Sequence, residues 1–442
     1  TLTNHSGTTG LLLRSDASNT ASLIHSTTGV SGTFDRYMND ADWSNWKDGW
    51  HFLSSPVPDH PVSPNFTSAP YDFYCWHEPG DVWVNYKNTT VEPTWVTANG
   101  SSNFNSGKGY MAAYDNAQTL LFQGNFQTSD VNLSGLTLTN ASNPHSFHLL
   151  GNPFCSSLLW DGSSAWNLVG IGGVAKIWNE SGQSYSDLTS SPPSYIPPTN
   201  GFMIQVNNAS ASLTLPSANR VHSSTAFYKN NLPQLLLRAV CPAEGNFQET
   251  RILIHPEATD SYDPMLEGAF TKGYAPELYS FAEDRKLSTQ ALGQVSENTR
   301  LFLGFHTNGN QGDFRLDFEG ASSFPSKLYL RDLLTNTLVD MTKTNSYSFQ
   351  AGQDDPPQRF VLSFGSTGLS DTEGAEVFLY QNKLYTIPVT GPVRIDVYSL
   401  TGQKVLSVLT SQSPVPIQLK RSLYLIRVEM PGKTVCLQAW IY

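Results

Sequence analysis

Val393-Arg-Ile-Asp-Val-Tyr-Ser-Leu-Thr-Gly-Gln-Lys-Val405 decides the fold class, together with Leu423-Tyr-Leu-Ile-Arg-Val428 and Val435-Cys-Leu-Gln-Ala-Trp-Ile441 behind it. Val393, Ile395 and Val397 alternate with Arg394, Asp396 and Tyr398, the two-residue period of a strand with one buried face. Leu400-Thr-Gly-Gln403 has turn chemistry, with Gly402 free to take positive φ. Tyr424, Ile426 and Val428 then share a face, Pro431-Gly432 turns the chain again, and Val435, Leu437, Ala439 and Ile441 close the set. This alternation predicts a small Ig-like β-sandwich over residues 375–442.

Asp396-Val-Tyr-Ser-Leu-Thr-Gly-Gln-Lys-Val405, followed by Leu423-Tyr-Leu-Ile-Arg-Val428 and Gly432-Lys-Thr434, resembles the C-terminal sorting domain of proteins exported by the Bacteroidetes type IX secretion system. Ser422 stands where that pattern has a glycine, and the terminus lacks the usual basic finish. The resemblance implies a secreted or cell-surface protein, with the type IX export machinery as a partner. Its sorting-signal residues would be Tyr398, Gly402, Lys404, Leu423, Tyr424, Arg427, Gly432 and Lys433. The alternative is a terminal sandwich with no export role.

Upstream the composition points the same way. The 442 residues suffice for two to four domains with full cores. Charged residues make up 14% and aromatics 12%, and strongly helical runs are scarce, the profile of an extracellular all-β protein. A net charge of −11 without a basic patch argues against a nucleic-acid partner. No apolar run reaches the ~18 residues of a membrane span. The chain opens at Thr1 without Met or a signal peptide, which reads as a processed or trimmed product. Cys75, Cys155, Cys241 and Cys436 show no Cys-x-x-Cys spacing, which excludes a zinc ribbon and favours buried thiols over one disulfide.

Residues 1–32 read as short β segments, the end of an upstream β-repeat, with an edge available for chain–chain association. Residues 33–222 contain an internal repeat, about 49–126 and 146–217. Trp50-His-Phe-Leu-Ser-Ser-Pro-Val57 matches Phe147-His-Leu-Leu-Gly-Asn-Pro-Phe154, and Gly109-Tyr-Met-Ala-Ala-Tyr-Asp-Asn-Ala117 matches Gly201-Phe-Met-Ile-Gln-Val-Asn-Asn-Ala209. The two copies are expected to face each other in one pseudo-symmetric sandwich, the alternative being two small ones. Strand patterns over residues 223–366 predict a jelly-roll-like sandwich. Residues 367–374 read as a linker.

Aromatic side chains crowd the first copy. Trp43, Trp46 and Trp76, beside amides and carboxylates, are the rings expected to be exposed, and a glycan could stack on them. Glu257, Asp260 and Asp263, three apart in a polar loop, could contribute to a structural calcium site; no other cofactor is expected. No nucleophile elbow, His-Glu-x-x-His, phosphate-cradling loop or Cys/His signature occurs. His51 and His148 hold equivalent repeat positions, which favours structural hydrogen bonds over catalysis. The chain therefore reads as non-enzymatic, serving adhesion or extracellular architecture. A glycan-binding protein is the first alternative, and a glycosidase with a fold-assembled carboxylate pair the second.

Overall fold

The computed structural model describes residues 2–68, 70–139, 146–222, 233–282, 285–296, 299–335, 337–365, 376–380, 383–387, 391–411 and 415–441. The residues read as a linker, and the expected boundary at residue 223, lie outside these. The described chain is all-β, and its α-helix is the single short one Trp95–Asn99.

The two repeat copies share one topology. In the first, His51–Leu53, Tyr110–Tyr114, Tyr71–His77 and Val82–Asn85 are neighbours in that order. In the second, Phe147–Gly151, Gly201–Gln205, Val174–Asn179 and Ser184–Thr189 take the same order. The register is also shared. His51↔Ala112, Phe52↔Met111 and Leu53↔Tyr110 become His148↔Ile204, Leu149↔Met203 and Leu150↔Phe202.

Each copy also supplies its own covering strands, Ser31–Met38 with Gln118–Asn125 and Val131–Leu136 with Ala211–Leu215. Each four-stranded sheet thus buries one face inside its own copy. Phe34, Phe66, Phe73, Phe104 and Phe122 fill the first core; Leu158, Trp160, Trp166, Phe202 and Leu213 fill the second. The copies are therefore two small sandwiches, not the two halves of one, because neither needs the other to cover its apolar face.

They are nonetheless joined. Gly109 N donates to Leu149 O at 3.0 Å, and Gly151 N to Gly107 O at 2.9 Å. A Cβ on Gly109 would lie 2.2 Å from the Leu150 carbonyl oxygen, so the crossing requires glycine there. Phe52, Phe147, Leu149 and Met203 form an apolar layer shared by both copies.

The N-terminal segment packs onto the first copy. Leu12–Leu13 lies parallel on Ser31–Met38, and Leu13 is buried in the first core with Leu11, Ala21 and Leu23 against it. Leu12, on the opposite face of the same short strand, is exposed.

Gln234 to Phe364 contribute one large sheet that curls until it nearly closes. Its end strands are Thr337–Asp340 and Ser346–Gln350. Near them Tyr347 OH donates to Asp332 Oδ2 at 3.0 Å, Arg359 Nη2 donates to the same oxygen at 2.9 Å, and Arg359 Nη1 donates to Gln350 O at 2.7 Å. A single core lies inside, with Leu237, Leu303, Phe314, Leu330 and Phe360 drawn from strands all around the sheet. The second copy's hairpin is stitched to it: Asp187 Oδ2 accepts from Ser288 Oγ and Thr289 Oγ1 at 2.7 Å each, and Ser186 Oγ donates to Glu249 Oε2 at 3.0 Å.

The C-terminal unit is a separate small sandwich. Lys404–Thr410, Val393–Ser399, Ser422–Met430 and Lys433–Ile441 form one antiparallel sheet; Glu376–Tyr380, Lys383–Ile387 and Val415–Pro416 form the other. Leu384, Val393, Ile395, Val397, Ile417, Ile426 and Val428 are its core. Among the described residues none of its strands pairs with a strand before Glu376.

Candidate functional site

Trp43 and Trp46 are exposed, at 45% and 68%, and Trp46 sets its ring edge-on to Tyr274 with centroids 4.8 Å apart. Trp76 is not an exposed ring, contrary to the expectation from its loop-like surroundings. It is half-buried, its indole N–H donates to Phe147 O at 2.6 Å, and it packs edge-on against its cross-strand neighbour Trp83 at 5.1 Å. The second copy repeats the pair as Trp178 and Tyr185, edge-on at 5.2 Å. Trp76 is thus a repeat-equivalent packing residue in the layer between the copies. Trp76-His-Glu-Pro-Gly80 and Trp178-Asn-Glu-Ser-Gly182 share Trp, Glu and Gly at one spacing, a third matched block that sequence reading passed over.

Glu257, Asp260 and Asp263 are not brought together. Among the described residues no group of three or more His, Cys, Asp or Glu is placed to hold an ion. Asp263 instead organises its own loop, accepting from Thr259 N at 2.6 Å and Thr259 Oγ1 at 3.1 Å, while Glu257 and Asp260 point outward, exposed. Its backbone N–H donates to Glu267 Oε2 at 2.9 Å, and burial pushes the Glu267 carboxyl up to about 7.

Cys75, Cys155 and Cys241 are buried free thiols, as expected; Cys436 is free but exposed, because it lies on the outer face of the last strand. Burial pushes Cys75 up to about 11.

The residues singled out in the terminal unit fall into two sets. Gly402 and Gly432 occupy left-handed turn positions, with φ of 81° and 78°. Tyr424 is buried, its hydroxyl donating to Lys420 O at 2.9 Å, and Leu423 is half-buried. Lys404 and Arg427 are exposed; Lys404 pairs with Asp396 at 3.0 Å and sits over the Tyr398 ring at 5.5 Å. Lys433 opens the last strand.

A polar arrangement found in both copies lies where they meet. His51 Nε2 meets Asn39 O at 3.3 Å, and His51 Nδ1 contacts Glu180 at the tip of the second copy's hairpin. The second copy mirrors this: His148 Nε2 meets Thr137 O at 2.9 Å, while Glu78, at the tip of the first copy's hairpin, accepts from Thr137 Oγ1 and from Thr139 N at 2.9 Å. Each histidine caps the exit of its own covering strand. Each hairpin carboxylate docks at that exit in the other copy. Burial works against ionised Glu78, but the hydrogen bonds from Thr137 and Thr139 and the nearby His148 hold its carboxyl below the usual range.

Beside the first of these clasps opens a cleft of about 340 Å³, bounded by the segment from Ser15 to Ser22, Arg36, Tyr37, Glu180, Pro197 and His222. Arg36 shares the inward-facing parity of Phe34 and Met38 on its strand. Its Nη2 donates to Asn200 Oδ1 at 3.2 Å and Phe52 O at 3.3 Å. Its Nε is buried without a partner among the described residues. Burial lowers its pKa, and Glu180 partly offsets that.

Residues 174–364, less than half of the chain, match the model of a family described as a domain of unknown function (DUF8693). The match begins at the hairpin bonded to the large sheet and ends with that sheet's strand Gln358–Phe364; it takes in only part of the second copy, whose Phe147–Gly151 strand and core residues Leu158, Trp160 and Trp166 precede it. No curated protein and no solved structure matches the chain.

Proposed function

We propose that the chain is a secreted or surface-displayed, non-enzymatic β protein. Residues 376–441 act as an export address read by a type IX machinery, and the upstream sandwiches and barrel-like sheet serve adhesion or extracellular architecture. The observation that carries this reading is the closure of the terminal sandwich on its own core, with no strand shared with the cargo among the described residues. An address must fold whatever it is attached to, and a module with its own core can do so. Its recognition surface would be the outward Tyr398, Lys404 and Arg427, next to the turn at Gly402. No helix among the described residues is long and apolar enough to cross a membrane.

The test is a chain ending at Gly365, expressed in a type IX-secreting host. The expected result is a folded product retained inside the cell, while the full chain reaches the surface or medium. Unimpaired export of the shortened chain refutes the address. A second reading, glycan binding, is favoured by the exposed Trp43 and Trp46 rings. A glycan array on the full chain and on Trp46→Ala separates it from a purely architectural role.

A further inference from the structure

We infer that the cleft beside Arg36 is a binding site for an acidic sugar, a uronate-type ring whose carboxylate meets the Arg36 guanidinium while its hydroxyls bond the rim. Its volume of about 340 Å³ is at the lower end of small-ligand pockets, which run from roughly 300 to 1,000 Å³. That space suits one or two sugar rings and not an extended polymer segment.

Charge decides the ligand class. The carboxylates bordering the cleft are already committed. Asp16 Oδ1 accepts from Ser18 N and Asn19 N at 2.8 Å each, and Glu180 is held by His51 and by Asn39 Nδ2 at 3.4 Å. Arg36 has only neutral acceptors, Phe52 O and Asn200 Oδ1. No carboxylate among the described residues lies in ion-pair contact with it. A half-buried guanidinium whose Nε is buried and unpartnered favours an anion at the cleft; its planar donor set fits a carboxylate or a phosphate, and the hydroxyl-lined rim favours the carboxylate of a sugar acid. The rim supplies the other half of the chemistry. Ser15, Asn19, Thr20, Ser22 and Tyr37 offer hydroxyl and amide groups that can donate or accept, as sugar hydroxyls require.

The repeat supports a specific role. The clasp is present in both copies, whereas Arg36 is matched by Ser134 when the clasp partners Asn39 and Thr137 are aligned. The N-terminal segment that walls the cleft pairs with the first copy's covering strand, and the second copy has no equivalent strand on Val131–Leu136 among the described residues. What both copies keep is structural; the arginine, its wall and its cleft are extra.

The test is calorimetric titration of the full chain with glucuronate and galacturonate, and with their neutral methyl esters, glucose and inorganic phosphate as comparisons. One of the two uronates should bind at least about tenfold more tightly than its own ester, since the ester leaves Arg36 uncompensated. Arg36→Gln should remove that preference. Thr20→Trp, which fills the cleft from an exposed position and leaves Arg36 in place, should abolish binding without altering the melting temperature, so the inference remains testable even if Arg36→Gln folds poorly. Equal binding of acid and ester, phosphate binding as tight as the uronate, or no uronate binding at all would each overturn it.

Discussion

Glu180 of the second repeat copy contacts His51 of the first, and Glu78 of the first copy occupies the reciprocal place near His148 of the second. The two carboxylates sit at equivalent positions of equivalent hairpins, so this is a pseudo-twofold clasp. Together with the Gly109 and Gly151 backbone bonds and the shared apolar layer, it holds two copies with complete cores side by side.

The two halves of the clasp differ in burial, and their mutational costs should differ too. Glu78 is 6% exposed and accepts from both Thr137 and Thr139. Glu78→Gln should cost about 1–3 kcal/mol, the range for loss of hydrogen bonds to a buried charge. The Glu180 side chain is 38% exposed, and Glu180→Gln should cost less. Urea unfolding of the two variants checks the order; equal costs would contradict it.

Gly109 tests the crossing itself. With a Leu150 oxygen 2.2 Å from a Cβ at that position, Gly109→Ala must push the two copies' backbones apart. A loss of roughly 1–3 kcal/mol or more is expected, as for overpacked interiors. Gly135→Ala, where nothing lies within 4 Å, separates steric from backbone effects; its positive φ of 70° makes only the backbone term unfavourable.

Stability should also depend on pH. Burial lowers the pKa of His60 and His148 below the ordinary 6.5; for His148 the Thr137 carbonyl and Glu78 oppose the shift without cancelling it. The unfolded chain therefore takes up protons that these folded rings refuse. Their contribution is complete above pH 6.5 and falls as pH drops below it. Glu267 has the opposite sign. Its carboxyl, pushed from 4.5 up to about 7, contributes fully below 4.5 and loses that contribution as pH rises through 7. Urea midpoints measured across this range should drop more steeply on acidification for Glu267→Gln than for the parent chain, and less steeply for His148→Asn.

Thiol accessibility offers a simple check on the fold. Cys436 alone should react promptly with an aromatic disulfide reagent in the native chain, and all four cysteines should react in denaturant. Prompt reaction of Cys75 or Cys155 would contradict the burial of their cores.

Much of this architecture was legible in the sequence. The alternation in Val393–Ser399 and Ser422–Met430 marked the strands of the terminal sandwich. The pairing of His51 with His148 marked the duplication. Other features were hidden for physical reasons. Asp396 reads as a solvent-side residue by alternation, yet it is 4% exposed because Lys404 and Ser407 cover it from the neighbouring strand. Trp76 sits beside a turn and looks free, but it packs on Trp83 across the hairpin and bonds the carbonyl of Phe147, seventy-one residues away. The cleft joins Ser22 to His222 and Arg36 to Asn200, contacts that no local pattern encodes. The division into two sandwiches was hidden because the second copy's covering strand, Val131–Leu136, has no fully buried position to mark it as a core strand.

The most direct measurement is transfer of the terminal module. Residues 376–442 are fused behind a reporter that a type IX-secreting bacterium otherwise retains, and cell fractions are assayed for the reporter. Export of the fusion, lost when Lys404 and Arg427 are both changed to Glu in a module that still folds, is the expected result. A fusion that stays inside the cell although its terminal sandwich is folded would contradict the central claim.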